Sequence, residues 1–196
     1  MKKELNNPSS LQEASLTLRP ATADDAGFIA EVVAVALGAD LWNDSGTHSL
    51  PDEALREVCR RSDTLYSWQH SLIAEINGEP AGGIVAYDGH DYPALRQRTF
   101  AALQHLITFD TSQMEDEAKA GEYYIDSVAV KPEYRGCGIA GKLLRAAINE
   151  GHAGGLTIVL ACDPQNLRAR SLYERIGFSV DGSLFIFGHD FHRMTC

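Results

Sequence analysis

Several things are scarce in this chain of 196 residues, and each shortage narrows what it can be. Positive charge is outnumbered: 17 Lys and Arg stand against 27 Asp and Glu, for a formal charge of −10. A general nucleic-acid binder needs a basic face for the phosphate backbone, so nucleic acid is excluded as a partner. An acidic balance suits a cationic partner such as an amine, although solubility accounts for it equally well. No apolar run approaches the ~20 residues of a membrane span, so no membrane partner is expected. The opening MKKELNNPSS turns polar after three residues and lacks the apolar stretch of a secretory signal. Cys59, Cys137, Cys162 and Cys196 form no C-x-x-C pair and no metal-ligand spacing. They read as free thiols in a cytoplasmic, reducing setting, and no metal site is expected. There is no internal repeat and no low-complexity segment.

The remainder is ordinary for a globular protein, with 44% apolar and 22% charged residues. The length suits one domain with a proper core and is short for two. Residues 1–14 read as a flexible tail and 15–196 as the domain.

Leu16, Thr17, Leu18 and Arg19 alternate and predict a strand stopped by Pro20. Thr22, with Asp25 three residues on, opens a helix carrying Ile29, Val32, Val33, Ala36 and Leu37 and ended by Gly38. Trp42 and Asp44 follow in a polar loop. Pro51 begins a second helix bearing Leu55, Val58 and Cys59. The stretch 72–76, then Asn77-Gly78, then 80–87 spells a hairpin with a tight primed turn.

A long segment, about 88–121, then interrupts the meander. Leu95, Ala102, Leu103, Leu106 and Ile107 predict one helix within it, and SQMEDEAKA a shorter second. It reads as a packed helical insertion placed to cover one end of the sheet. Glu115, Asp116 and Glu117 read as an acidic helix face in water rather than an attractor for a cation. Downstream, 151–155 reads as a flexible break before a strand at 156–161. A last helix at 166–175 stops at Gly177, and strands at 178–180 and 184–187, extended by 189–194, close the chain. This order fits an α/β fold: a single mixed, mostly antiparallel sheet of about seven strands flanked by helices. Sheet pairing through the C-terminal strands offers a route to a homodimer.

The stretch 123–144 organises the rest. YYIDSVAV reads as a buried strand, KPEYRGCGIAGK as a loop, and a helix starts at about Ile139. Glycines at a strand-to-helix turn leave bare N–H groups aimed outward at the helix N-terminus, where unpaired donors and the dipole hold a phosphate. Three loops can be spelled on these letters. Gly136, Gly138 and Gly141 satisfy a dinucleotide fingerprint, with Asp163 near the distance for a ribose-binding acid, but the chain lacks repeated βαβ units. Gly136 to Lys142 also satisfies G-x-x-x-x-G-K, but Leu143 stands where a P-loop needs Ser or Thr for magnesium. The third spelling is Arg135-x-x-Gly138-x-Ala140 after a strand ending in V-A-V.

That spelling, followed downstream by Asn166-x-x-Ala169-x-x-Leu172-Tyr173-x-x-x-Gly177-Phe178, resembles the GNAT superfamily of acetyl-CoA-dependent N-acetyltransferases. The resemblance covers roughly residues 121–182 and implies a GNAT-type sheet and acetyl-CoA as co-substrate. It implies that backbone groups of Val128, Ala129 and Val130 pair with the pantetheine arm where the sheet splays. It also implies a pyrophosphate cradle of Gly136, Cys137, Gly138, Ile139, Ala140 and Gly141, with Arg135 and Lys142 as flanking charges. Asn166 falls on the family's cofactor-arm asparagine, and also reads as the N-cap of the last helix. Tyr173 falls on the family tyrosine that protonates the thiolate leaving group; its other reading is packing under the helix. Trp42 and Asp44 fall in a segment that forms one wall of the acceptor site in the family, although Trp42 reads first as a plug in the core.

The implied reaction moves acetyl directly onto a primary amine of a small molecule or peptide. Because such an amine has a pKa near ~10, a proton must leave before it attacks. Strict alternation places Tyr124, Asp126, Val128 and Val130 on one face, which makes Asp126 the candidate base. Its alternative is a hydrogen bond to a neighbouring strand's side chain. Glu122 is the second candidate, whereas His48, His189 and His192 have suitable chemistry without a positional argument. Cys137 and Cys162 read as small packing residues rather than nucleophiles. A rival of another class is a non-catalytic acyl-CoA-binding or sensing module.

Overall fold

The computed structural model describes residues 15–39, 41, 51–107 and 110–196. Asn77 and Gly78 both adopt positive φ (54° and 83°), as a primed two-residue turn requires, and join β2 (Ser71–Ile76) to β3 (Glu79–Asp88). With β1 (Leu16–Pro20), β4 (Glu122–Val130), β5 (Thr157–Cys162), β6 (Ser179–Ile186) and β7 (His189–Thr195) they form one sheet in the order β1-β2-β3-β4-β5-β7-β6. Every neighbouring pair is antiparallel except β4 and β5, which are parallel.

Helices cover both faces. On one lie α1 (Ala26–Ala36) and α2 (Glu53–Arg60), whose Ile29, Val33, Leu55 and Val58 pack with Val85, Tyr87, Tyr124 and Val159 of the sheet. On the other lie α4 (Ile139–Ala153) and α5 (Leu167–Ile176). Ile139, Leu143, Leu144 and Ala147 of α4 meet Ile84, Ile125, Ile158 and Leu160 there. Leu143 and Leu144 are fully buried, and each such side chain contributes about 1.5–3 kcal/mol relative to exposure. Thr22 and Asp25 make the expected capping box ahead of α1, and Asp25 also anchors Arg19 of β1 at 2.7 Å. That guanidinium holds the Asp25 carboxyl down at about 2.

Four details depart from the sequence reading. Pro51 precedes α2 rather than opening it, because Asp52 is the cap and accepts from Ala54 N at 2.8 Å. In the insertion, α3 (Tyr92–Ala102) ends before Leu103 and Leu106. The second insertion helix does not form; a single 3-10 turn, Thr111–Gln113, stands there instead. Its polar groups bond the sheet: Glu115 N donates to Phe185 O at 3.0 Å, Phe185 N donates to Glu115 Oε2 at 2.6 Å, and Glu117 accepts from two tyrosines. Finally, α4 runs through Gly151 to Ala153, so this glycine is needed for its small size rather than for a break. A Cβ there would lie 2.4 Å from Ile158 Cδ1 and 2.7 Å from Tyr123 Cβ.

Gly151→Ala is therefore expected to lower stability by about 2 kcal/mol, the usual scale for overpacking. Urea unfolding measures it; an unchanged midpoint would mean that α4 rides freely over β4 and β5.

Candidate active site

The site begins with an irregularity in β4. Val85 pairs with Ser127 and Ala86 with Ile125, so Asp126 is an extra residue with no counterpart on β3. One inserted residue reverses the side-chain alternation beyond it. Tyr123 and Ile125 face α4, and beyond the bulge Val128 and Val130 do so too, while Tyr124 and Ala129 face α1. The uniform face expected for Tyr124, Asp126, Val128 and Val130 is thus not formed. Asp126 and Ser127 instead stand together with Tyr124 in the wall of a cavity of about 550 Å³ on the α1 side.

Among the described residues, three parts of the chain close this cavity: the end of α1 with Leu37, the insertion with Phe100, Leu103 and Leu106, and the β6–β7 turn with Phe187. Three acids line it, Asp126, Glu117 and Asp163. Asp126 accepts from Tyr87 Oη at 2.8 Å and from Ser127 Oγ at 2.8 Å, so the alternative reading of Asp126, a bond to a neighbouring strand, also holds. Glu117, buried in the same cavity wall, accepts from Tyr124 Oη at 2.6 Å and Tyr92 Oη at 3.1 Å. Burial raises both acids, and Glu117, which also feels the Asp126 charge, is pushed up to about 7 against the pull of its two phenols. Burial and the carboxylates hold the phenols of Tyr66, Tyr87 and Tyr124 well above their ordinary value. Glu117 gives no signal in the sequence: its burial comes from long-range contacts, and it sits in a run of acids that resembles a wet surface.

On the other side of β4 the sheet opens. Pairing of β4 with β5 stops at Ile125 and Leu160, while β5 continues along β7 through Ala161 and Cys162. Val128, Ala129 and Val130 thus keep their β3 partners but have no strand on the β5 side. After Val130 comes the glycine loop, with Gly136 (φ 83°) and Gly138 (φ 77°) in the left-handed region. Arg135 N donates to Pro132 O and Lys142 N to Gly138 O, but the N–H groups of Gly136, Cys137, Gly138, Ile139, Ala140 and Gly141 donate to no backbone acceptor among the described residues. Six donors are thereby presented at the N-terminus of the 15-residue α4, beside the exposed Arg135 and Lys142. This donor set suits a pyrophosphate.

Asn166 caps α5, with Oδ1 accepting from Ala169 N at 3.0 Å, and also lines the cavity. Tyr173 lies on the α4 side, its ring edge-on to Phe178 at 6.0 Å; burial, then neighbouring Cys162, raises its phenol. Glu122, at the start of β4, is taken up elsewhere: Arg193 Nη2 donates to it at 2.6 Å, Lys119 N at 3.2 Å, and it does not line the cavity. Of the histidines, His189 lines the cavity and His192 does not. Trp42, Asp44 and His48 lie outside the described residues. Burial raises the Cys162 thiol, which suits a packing residue rather than a nucleophile. Among the described residues no His, Cys, Asp or Glu cluster could hold a metal, and no helix is long and apolar enough to cross a membrane.

A sheet that forks beside a loop of free N–H groups, with an acid-lined cavity across the fork, defines the scaffold of a CoA-dependent acyltransferase. Comparison with known proteins agrees. Residues 36–178 match the acetyltransferase (GNAT) family, and the chain belongs to that family. The crystal structure of an N-acetyltransferase from Staphylococcus aureus Mu50 is similar, with a TM-score of 0.72 and 28% identity over 92% of this chain and 100% of that one. The aminoglycoside acetyltransferase AAC(6')-Ib, solved in complex with coenzyme A, shares the fold at a TM-score of 0.61 and 23% identity, covering 93% of this chain and 94% of that one. Among curated proteins, N-alpha-acetyltransferase 30 of Schizosaccharomyces pombe (strain 972 / ATCC 24843) is 45% identical over 56 residues. That match covers 28% of this chain and 37% of the relative.

The raised Glu117 carries a stability signature. Between its ordinary 4.5 and about 7, the folded protein retains a proton that the unfolded chain has lost, so stability falls as pH rises through that window. Acidification from about pH 7.5 to about pH 5 is expected to favour wild type over Glu117→Gln by about 2 kcal/mol in urea unfolding. Parallel pH profiles for the two proteins would contradict this environment for Glu117.

Proposed function

We propose that this protein transfers acetyl from acetyl-CoA directly to a primary amine of a small molecule or peptide, without a covalent enzyme intermediate. The carrying observation is the placement of the acid-lined cavity and the free-N–H loop on one strand, β4, on either side of its fork with β5. The N–H groups of residues 136–141, with Arg135 and Lys142, hold the pyrophosphate. The open edge of Val128, Ala129 and Val130 pairs with the pantetheine arm as an added strand would, and Asn166 contacts that arm from the α5 cap.

Acetyl-CoA supplies a thioester whose carbonyl carbon the amine attacks. Asp126 takes the proton that must leave the ammonium first. As the new C–N bond forms and the C–S bond breaks, Tyr173 gives its proton to the departing sulfur and the second amine proton leaves with the solvent; Asp126 then releases its proton to solvent and Tyr173 regains one from it. A phenol held above its ordinary value keeps its proton until that moment. Asp126 is favoured over Glu122 as base because it lines the cavity, while Glu122 is ion-paired to Arg193. The name of the curated relative supports an amine acceptor.

Two variants test these roles in steady-state kinetics. Tyr173→Phe is expected to lower kcat about 100-fold or more while acetyl-CoA affinity stays nearly unchanged. Asp126→Asn is expected to lose a similar factor at neutral pH and recover as pH approaches the amine's own pKa, near ~10. Wild-type turnover in either variant would remove that residue from its role.

A further inference from the structure

The cavity's chemistry is one-sided. Its lining includes three acids, Glu117, Asp126 and Asp163, and no Lys or Arg among the described residues. Among the described residues, His189 is the one imidazole in the lining. Two of the acids each accept from two hydroxyls, Glu117 from Tyr92 and Tyr124 and Asp126 from Tyr87 and Ser127. Asp163 spends an oxygen on Gln165 N at 2.7 Å beside the α5 cap.

The remaining wall is apolar and aromatic. Leu37 and Leu106, 53% and 43% exposed, form its rim, and Phe100, Leu103, Phe187 and Phe191 its sides. Phe187 (φ 53°) and Gly188 (φ 85°) make the primed two-residue turn between β6 and β7, and Phe187 meets Phe191 edge-on at 6.2 Å.

From this distribution of charge we infer that the acceptor is a carboxylate-free amine with a single positive charge on an apolar body. The inference rests on the acetyl-transfer reading above. The carboxylate pair attracts one ammonium by charge complementarity. An α-carboxylate on the same molecule would be drawn toward two acids with no Lys or Arg to offset it. A second ammonium would be pressed against leucine and phenylalanine side chains, where a charge is poorly tolerated.

The test compares 2-phenylethylamine, phenylalaninamide, phenylalanine and spermidine as acceptors at a single fixed pH. Acetyl-CoA affinity is measured in parallel. The first two are expected to exceed the last two in kcat/KM by about 100-fold or more. Leu37→Arg, on the exposed rim and thus compatible with folding, places a cation at the cavity. It is expected to narrow the gap between phenylalanine and phenylalaninamide by about 10-fold. Preference for phenylalanine or spermidine, no turnover of any of the four despite acetyl-CoA binding, or a gap untouched by Leu37→Arg would overturn the inference alone. Failure to bind acetyl-CoA would overturn the transfer reading beneath it.

Discussion

Pairing between β4 and β5 ends at Ile125 and Leu160, and in the next position Asp126 bulges out of the ladder with β3; both halves of the proposed site depend on that coincidence. The fork frees one edge of Val128, Ala129 and Val130 and leads into the glycine loop. The bulge aims Asp126 and Ser127 into the cavity on the α1 side. Had β4 kept strict alternation, Asp126 and Ser127 would have faced opposite sides of the sheet. A donor held along β4 and an acceptor held beside Asp126 would meet where the two irregularities touch.

Such a site works against the stability of the fold around it. Two carboxylates in one largely apolar wall are unfavourable as charges, and burial raises both. The tyrosine and serine hydroxyls offset part of that cost: each oxygen of Asp126 and Glu117 accepts one of them. Those hydroxyls come from β3, the start of α3 and β4, so the insertion is tied to the sheet through the same groups that serve the cavity. The close approach of Gly89 to Lys119, whose carbonyl would lie 2.5 Å from an added Cβ, fixes the insertion's two ends to each other. The acidic network is therefore both a chemical feature and a structural joint.

What was legible in the sequence was local. The capping box at Thr22 and Asp25, the Asn77-Gly78 turn, the glycine turn between strand and helix at 136–138, and the Asn166 cap each depend on a few neighbouring residues, and each is present. The free-N–H loop and the strand leading to it could be read for the same reason. The fork could be anticipated only through family resemblance, since no residue type marks the end of a ladder. The bulge at Asp126 was invisible because it is a property of the β3–β4 pairing. Glu117 was misread because an acidic run looks solvated until distant Tyr92 and Tyr124 close over it. Gly151 looked like a break because sequence alone does not show Ile158 and Tyr123 pressing on its Cα.

The central claim is that the loop at residues 136–141 serves the pyrophosphate of a coenzyme A thioester rather than that of a nucleotide. Calorimetric titration of the purified protein with acetyl-CoA, beside NADH and Mg-ATP, tests it most directly. Micromolar binding of acetyl-CoA with no heat from the other two is the expected result. Silence with acetyl-CoA and heat from NADH or Mg-ATP would mean that the same glycines spell a different loop.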